Sequence, residues 1–473
     1  MRNVFVMLAC GVSGLGAVFA ESLAPPRQVS TVLTVSPENP HYFLWRGRPT
    51  VLIGSGEHYG TLINLDFDYR RYFDTLAADG MMLTRVFSGA YVEPEGAFNI
   101  ARNTLAPSPG RFIAPWSRSD QPGYANGGNK FDLRRWDESY FARLKALAAY
   151  ASGKGVIIEF TLFCPMYEEK QWSLSPMNVR NNVNGLGDIG RLDAFTVDKH
   201  GGLLDIQEAL TRKLVTELNP LDNVIFEIMN EPYTRGVPID WQRHIAEIVV
   251  ETERGLPKKH LISQNIANKS GTVVAAHSSV SVFNFHYAAT AAVSANYGLN
   301  KVIGDNETGF KGTGDAAYRQ EAWEFILAGG GLFNHLDYSF AAGFEDGTFV
   351  YPPTQPGGGN PSFRRQMRVL RDFIHQFDFV RMRPDESVFA EGMPDGVTAR
   401  ALVDPGRAMA IFLRGSGPST ALRLAIPGGT WTAEWIDTKT GTLARTMTVT
   451  GGAVRSLDGP RYEMDIALRL VKQ

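Results

Sequence analysis

The chain has 473 residues, 44% hydrophobic and 20% charged, which is ample material for a large buried core. Lysine and arginine number 47 against 49 aspartate and glutamate, a formal charge of −2 with no basic run. That balance gives no electrostatic footprint for nucleic acid, and the length allows two to four domains or one large barrel with additions.

Arg2 precedes an apolar stretch, Val4 to Phe19, that ends in the small-residue pattern Val18-Phe19-Ala20 before Glu21. Residues 1–20 are therefore expected to be a signal peptide cleaved after Ala20, which implies a periplasmic or secreted protein. The stretch is too short and too glycine-interrupted to read as a membrane span. Cys10 raises a lipoprotein alternative, to which Met7-Leu8-Ala9 is a poor match. Cleavage leaves Cys164 as the remaining cysteine, so an intramolecular disulfide is not expected despite export. Residues 21–48 form an extension in which Tyr42-Phe43-Leu44-Trp45 and Gly47 predict a hairpin. It either plugs the bottom of the following domain or joins a sheet at the C-terminus.

From residue 49 to 382, short apolar runs alternate with amphipathic stretches. The runs cover 51–57, 81–88, 156–163, 224–231, 260–265, 280–287, 301–307 and 331–338, each rich in β-branched or aromatic residues. Helical periodicity fits 66–78, stopped by Gly80, and 137–152, stopped by Gly153. Further helices fit 205–218, 239–254, 315–328 and 362–378, while the segments after the fifth and sixth runs are weakly periodic. Eight strand–helix alternations predict an α/β fold of the (β/α)8 TIM-barrel type, with an open doubly wound sheet as the alternative. Beyond Arg383 the pattern changes to alternation with period two. Trp431, Ala433 and Trp435 share one face of a strand that turns at 437–441 into another carrying Leu443, Met447 and Val449. Tyr462, Met464, Ile466, Leu468 and Leu470 share a face of the last strand. Residues 383–473 thus read as a small antiparallel β-sandwich.

Three long connections, 89–135, 164–204 and 339–361, follow candidate strands and in a barrel would rise on its catalytic face. They carry Tyr91, Trp116, Tyr124, Tyr167, Trp172, Phe344 and Tyr351. Two or three of these rings are expected to stack on the apolar faces of sugars, the rest to pack the loops together.

The chemistry concentrates at two strand ends. The run VIFEIMNEPY delivers Glu231 onto a proline-terminated turn, and KVIGDNETGF delivers Glu307. Two carboxyl groups facing one barrel mouth can divide the labour of breaking a glycosidic bond: one protonates the leaving oxygen, the other meets the cationic anomeric carbon. NEP at the fourth strand, with a glutamate ending the seventh, resembles the clan-A retaining glycoside hydrolases, the cellulase-like barrels, over about residues 45–380. The resemblance implies that Glu231 is the acid/base and Glu307 the nucleophile. It further implies that Asn230 bonds the sugar 2-hydroxyl, that Arg85 in LTRVFSG orders the nucleophile, and that His286 and Tyr287 form the sixth-strand pair. The chain departs from the clan in lacking the His-x-Tyr spacing there, and in offering His335, Asp337 and Tyr338 where an eighth-strand tryptophan is frequent. The opening NPHYFLWRGRPTVLIGSGEHYG is also similar to the start of bacterial hydrolase-like barrels that include apiosidase-like proteins.

Glu57 and His58, at the end of the first strand, are expected to bind sugar hydroxyls, together with His335, Tyr91 and Trp172. No pair among His58, His286 and His335 has metal-ligand spacing, and Gly329-Gly330-Gly331 lacks the Lys-Ser/Thr of a phosphate loop, so neither metal nor cofactor is expected. The expected partner is an oligo- or polysaccharide and the expected activity retaining glycoside hydrolysis. Transfer to another sugar by the same pair, or a carbohydrate-binding barrel without turnover, are the alternatives.

Overall fold

The computed structural model describes residues 32–391, 393, 395–415 and 421–473. The signal peptide expected over 1–20 lies outside them. All eight apolar runs are strands: β1 (Leu52–Gly56), β2 (Leu83–Phe87), β3 (Ile157–Phe163), β4 (Val224–Met229), β5 (Leu261–Asn268), β6 (Val280–His286), β7 (Val302–Thr308) and β8 (Leu332–Leu336). They pair in parallel, each with its neighbour in sequence, and β8 returns to β1, so the sheet is a closed barrel and not the open doubly wound alternative. β1 to β4, β7 and β8 are buried at every position, because helices cover the outside while side chains fill the inside. That is why these strands read as continuous apolar runs without alternation.

The helices obey their caps. Tyr69–Asp79 begins after Asp68, whose side chain accepts from the backbone N–H groups of Arg70 and Arg71, and it ends at left-handed Gly80. Glu138–Lys154 begins after Asp137 but runs through Gly153 and stops at Gly155, the glycine that takes the left-handed conformation (φ 76°). The predicted stop at Gly153 was therefore two residues early. Leu204–Leu218, Ile239–Arg254, Asp315–Leu327 and Pro361–Ile374 complete the main set. Weak periodicity after the fifth and sixth runs has a physical counterpart: 269–279 holds no helix, and Thr290–Asn296 is only two turns long.

The N-terminal hairpin pairs Phe43–Trp45 with Arg48–Thr50 across Arg46 and Gly47, both at positive φ, and Thr34–Val35 adds a third strand. Leu33, Phe43 and Trp45 pack against Leu52, Leu83, Ile157, Ile225, Leu261, Val282, Val302 and Leu332, residues at the beginnings of the barrel strands. The hairpin thus plugs the barrel bottom and leaves the opposite end as the open one.

The C-terminal part is antiparallel. A six-stranded sheet orders 383–384, 398–404, 408–414, 465–472, 430–436 and 443–450, and a two-stranded antiparallel sheet of 421–426 with 453–458 faces it. Trp431, Trp435, Leu424, Ile466, Leu468 and Leu470 fill the space between. The last strand begins at Asp465, so Tyr462 and Met464, expected on its face, precede it. The other face of the sheet lies on the barrel: Phe412 stacks on Trp323 at 5.5 Å, and the Arg319 guanidinium bonds both Asp465 oxygens at 3.0 and 2.7 Å. No helix among the described residues is long and apolar enough to cross a membrane.

Candidate active site

The site is built on a polar layer inside the barrel. Arg85, on β2 and fully buried, extends Nη2 to Glu227 Oε2 (2.5 Å) and Asn230 Oδ1 (2.8 Å), and Nη1 to Glu307 Oε2 (2.9 Å). Beneath it Glu159 on β3 accepts from Ser263, Asn284 and Asn306, and Glu227 on β4 accepts from Thr161, Asn265 and Asn306. Burial, then the neighbouring Glu227 charge, push Glu159 up to about 7, so this layer has room for a neutral acid beside one arginine. Gly304 on β7 belongs to the same layer: a Cβ there would collide with the Asn284 side-chain oxygen. Glu159 and Glu227 escaped the sequence reading, although a carboxylate in mid-strand within an apolar run is the signal that marks them.

Above this layer the two candidate carboxylates converge. An oxygen of Glu231, an oxygen of Glu307 and a ring nitrogen of His286 all lie within 4.8 Å of one another. Glu307 Oε2 also accepts from the Tyr59 hydroxyl (3.1 Å) and Oε1 from that of Tyr287 (2.9 Å). Glu231 accepts from Tyr167 (2.6 Å) and Tyr233 (3.2 Å), and His286 Nδ1 stands 3.1 Å from it and 3.5 Å from Glu307. A cation among these three residues would have to displace donors already seated on both carboxylates.

Three residues of this constellation sit at positive φ within three residues of a strand end: Tyr59 (65°), Glu231 (39°) and Tyr287 (51°). Left-handed backbone costs a non-glycine residue on the order of 1–3 kcal/mol where it is enforced, and it turns each side chain inward from the strand end. Glu231 is held there by its N–H bond to Asn265 Oδ1 (3.0 Å), and Tyr287 by its N–H bond to the Glu307 carbonyl (2.7 Å).

The electrostatics are those of an ion cluster. Burial alone would raise Glu307, but His286, then Arg85 and the Tyr287 hydroxyl, hold it well below the usual carboxylate range. Burial alone would lower His286, yet the charge of Glu307 and the hydrogen bonds to Glu231 and Glu307 carry it up to about 10. Because the histidine is raised in the folded state, its stabilisation is complete below its ordinary value of 6.5 and is lost as pH climbs through about 10. Glu307 supplies the acid limb, losing its contribution as pH falls below its ordinary 4.5 toward the depressed value. The groups facing the imidazole are Glu231 and Glu307, the Tyr233 and Tyr287 rings edge-on, and the Asp305 carboxyl, which burial raises well above its ordinary range. The Tm difference between wild type and His286→Gln is therefore expected to be largest between about pH 4.5 and 6.5 and to shrink steadily toward about pH 10. A difference independent of pH in calorimetric scans would show that the histidine packs without charge.

A cavity of about 240 Å³ opens over the pair, lined among others by His58, Tyr59, Glu93, Phe98, Tyr167, Asn230, Glu231, Tyr287, Glu307 and Phe310. Of the residues predicted to bind substrate, Asn230, His58 and Tyr287 line it, while Arg85 and His286 lie behind the carboxylates and touch them. Four expectations need correction. Glu57 is fully buried and accepts from the Gly60 and Thr61 N–H groups and the Thr104 hydroxyl, so it pins the loop after β1 instead of meeting sugar. His335 lies between Tyr318 and Phe363, bonded to Ser55, and burial with the nearby Arg364 charge pushes it down to about 3. Trp172 is buried with its indole N–H on the Ile189 carbonyl (3.3 Å). Tyr91 is buried behind the cavity, donating to Glu93 Oε1 (2.9 Å).

Among the seven loop aromatics only Tyr167 lines the cavity, one where two or three were expected. Of its remaining aromatic rings, Tyr59, Phe87, Tyr287 and Phe310 stand at strand ends or within three residues of them, and Phe98 lies in the first long connection. Glu93 was missed as well, although it sits in the first long connection.

No protein-family model matches the chain, and no curated protein matches it. Solved structures do. A glycoside hydrolase aligns at 15% identity over 94% of this chain and 97% of its own, TM-score 0.64. A glycoside hydrolase family 5 protein from Bacteroides vulgatus ATCC 8482 aligns at 15% identity over 93% of each chain, TM-score 0.64. A third, described as a putative glycoside hydrolase from the same organism, aligns at 13% identity over 94% of this chain and 82% of its own, TM-score 0.66. At these identities the likeness establishes a shared fold, barrel and C-terminal sheet together.

Proposed function

We propose that the chain is a retaining glycoside hydrolase working in the periplasm or outside the cell, with Glu231 as acid/base and Glu307 as nucleophile. The observation that carries this reading is the convergence of the two carboxylates, with oxygens inside 4.8 Å of each other. Retaining enzymes space their carboxyl groups at about 5–5.5 Å and inverting ones at roughly 6.5–9.5 Å, where a water must fit between. The solved structures that share the fold are glycoside hydrolases, which supports the same class.

In the first step Glu231 gives its proton to the glycosidic oxygen, the C1–O bond breaks, and Glu307 forms an ester at C1. Arg85, Tyr59 and Tyr287 keep Glu307 ionised and aimed before attack. In the second step the ionised Glu231 takes a proton from water, whose oxygen attacks C1 and releases Glu307. Two inversions give net retention. The test is proton NMR of the first product formed from an aryl glycoside: the anomer released is expected to match that of the substrate. Initial release of the opposite anomer would sink the double displacement.

A further inference from the structure

The cavity over the two carboxylates is small and walled on one side. Its lining comes from the ends of β1 to β7 and the connections that follow them, seven of the eight around the barrel. Its volume of about 240 Å³ falls below the roughly 300–1,000 Å³ typical of sites for drug-sized ligands, and accommodates one sugar ring but not a threaded chain. One wall is a bonded unit: His58 Nε2 stands 3.3 Å from Glu93 Oε2, and Glu93 also accepts from Tyr91 and Asn103. Beyond that wall lies a second cavity of about 440 Å³, lined by Arg102, Asn103 and Pro109 and sharing only Glu93 with the first. The chain therefore contains space for a longer groove and closes it off. Phe98 and Phe310, both partly exposed, flank the mouth.

Charge narrows the choice further. Besides the catalytic pair, the lining holds one further carboxyl group, Glu93, and one imidazole, His58, which are bonded to each other. The cations behind the pair are already held as well, Arg85 by Glu227 and Glu307 and His286 by Glu231 and Glu307. A carboxylate on the sugar, as on a uronic acid, would meet no uncommitted cation among the residues that line the pocket.

Resting on the glycosidase reading, we infer that this pocket removes single neutral monosaccharide units from the non-reducing ends of its substrates. The terminal sugar enters with its anomeric carbon at Glu307 and its far side against the His58–Glu93 wall, and the rest of the chain leaves through the mouth as the aglycone. The bond changes are those of double displacement, with one water consumed for each unit released.

The test uses the purified chain with cello-, manno- and xylo-oligosaccharides from dimer to hexamer, labelled at the reducing end, and with aryl glycosides of neutral sugars and uronic acids. Labelled products one unit shorter than the substrate are expected first, and capping the non-reducing terminal hydroxyl should lower kcat/KM by at least about 100-fold. Aryl uronides should be at least about 100-fold poorer than the best neutral glycoside. In a Glu307→Gln variant, affinity by calorimetry should level off at the dimer, because only one unit and its neighbour meet protein. Products from the middle of the chain, or affinity that rises tenfold from trimer to tetramer, would overturn the pocket inference and leave the glycosidase reading standing. Turnover of no glycoside in the panel would count against the glycosidase reading itself, and the inference would fall with it.

Discussion

Glu307→Gln is expected to lower kcat by about 10⁴-fold or more while leaving affinity for the released sugar within about threefold. The amide keeps the size of the carboxylate and one oxygen to accept from Arg85 or Tyr59, so the pocket keeps its shape. What it loses is the anion that must form the ester at C1, and no other described carboxylate stands in position to replace it: Glu227 lies below, bonded to Arg85, Thr161, Asn265 and Asn306. Removing the Glu307 charge also takes away the principal support for the raised His286, so the variant should lose part of its pH-dependent stability as well. Turnover near the wild-type rate, measured on the best aryl glycoside, would falsify the nucleophile assignment.

Glu231→Gln should behave differently, because an acid/base matters only as much as the leaving group needs a proton. The expected loss is about 10²–10⁴-fold for glycosides with alkyl or sugar leaving groups, and far less for nitrophenyl glycosides in the first step. In those the ester should form and then persist, since no base remains to activate water. Azide, a nucleophile that needs no base, should restore turnover and yield a glycosyl azide of the same anomeric configuration as the substrate. Equal losses for good and poor leaving groups, with no response to azide, would mean that Glu231 holds the site together without moving a proton. The Tyr167 and Tyr233 hydroxyls on its two oxygens make that structural alternative a concrete one, which is why the leaving-group series is the decisive measurement.

Both glutamates could be found from sequence because each ends an apolar run at a turn, where strand periodicity stops and a carboxylate has no packing reason to be. Asn230 and Arg85 were reached through the resemblance to a known family of barrels, since position alone does not single out an arginine in mid-strand. The failures have a common cause. Glu57, His335, Trp172 and Tyr91 also lie at strand ends or in the long connections, and one-dimensional position does not tell which way a side chain turns. Glu57 turns into its own loop to bind backbone N–H groups, and His335 turns outward between barrel and helix. Glu93 and Phe98 turn inward, yet nothing in their local pattern distinguishes them from neighbours that face solvent or pack the loops.

The sequence by itself determined the succession of eight strands and most helices, the change to an antiparallel pattern after residue 383, and the two carboxylates at strand ends. Periodicity and caps are local properties of the chain, and each of these features follows from them. Only the tertiary structure decided that the sheet closes into a barrel, that the N-terminal hairpin seals its bottom, that Arg85 serves Glu227 as well as Glu307, and that the mouth is walled by the His58–Glu93 pair. These depend on which residues distant in sequence meet across the barrel. That is settled by the collective packing of eight strands and their loops, a property that no stretch of the chain carries alone.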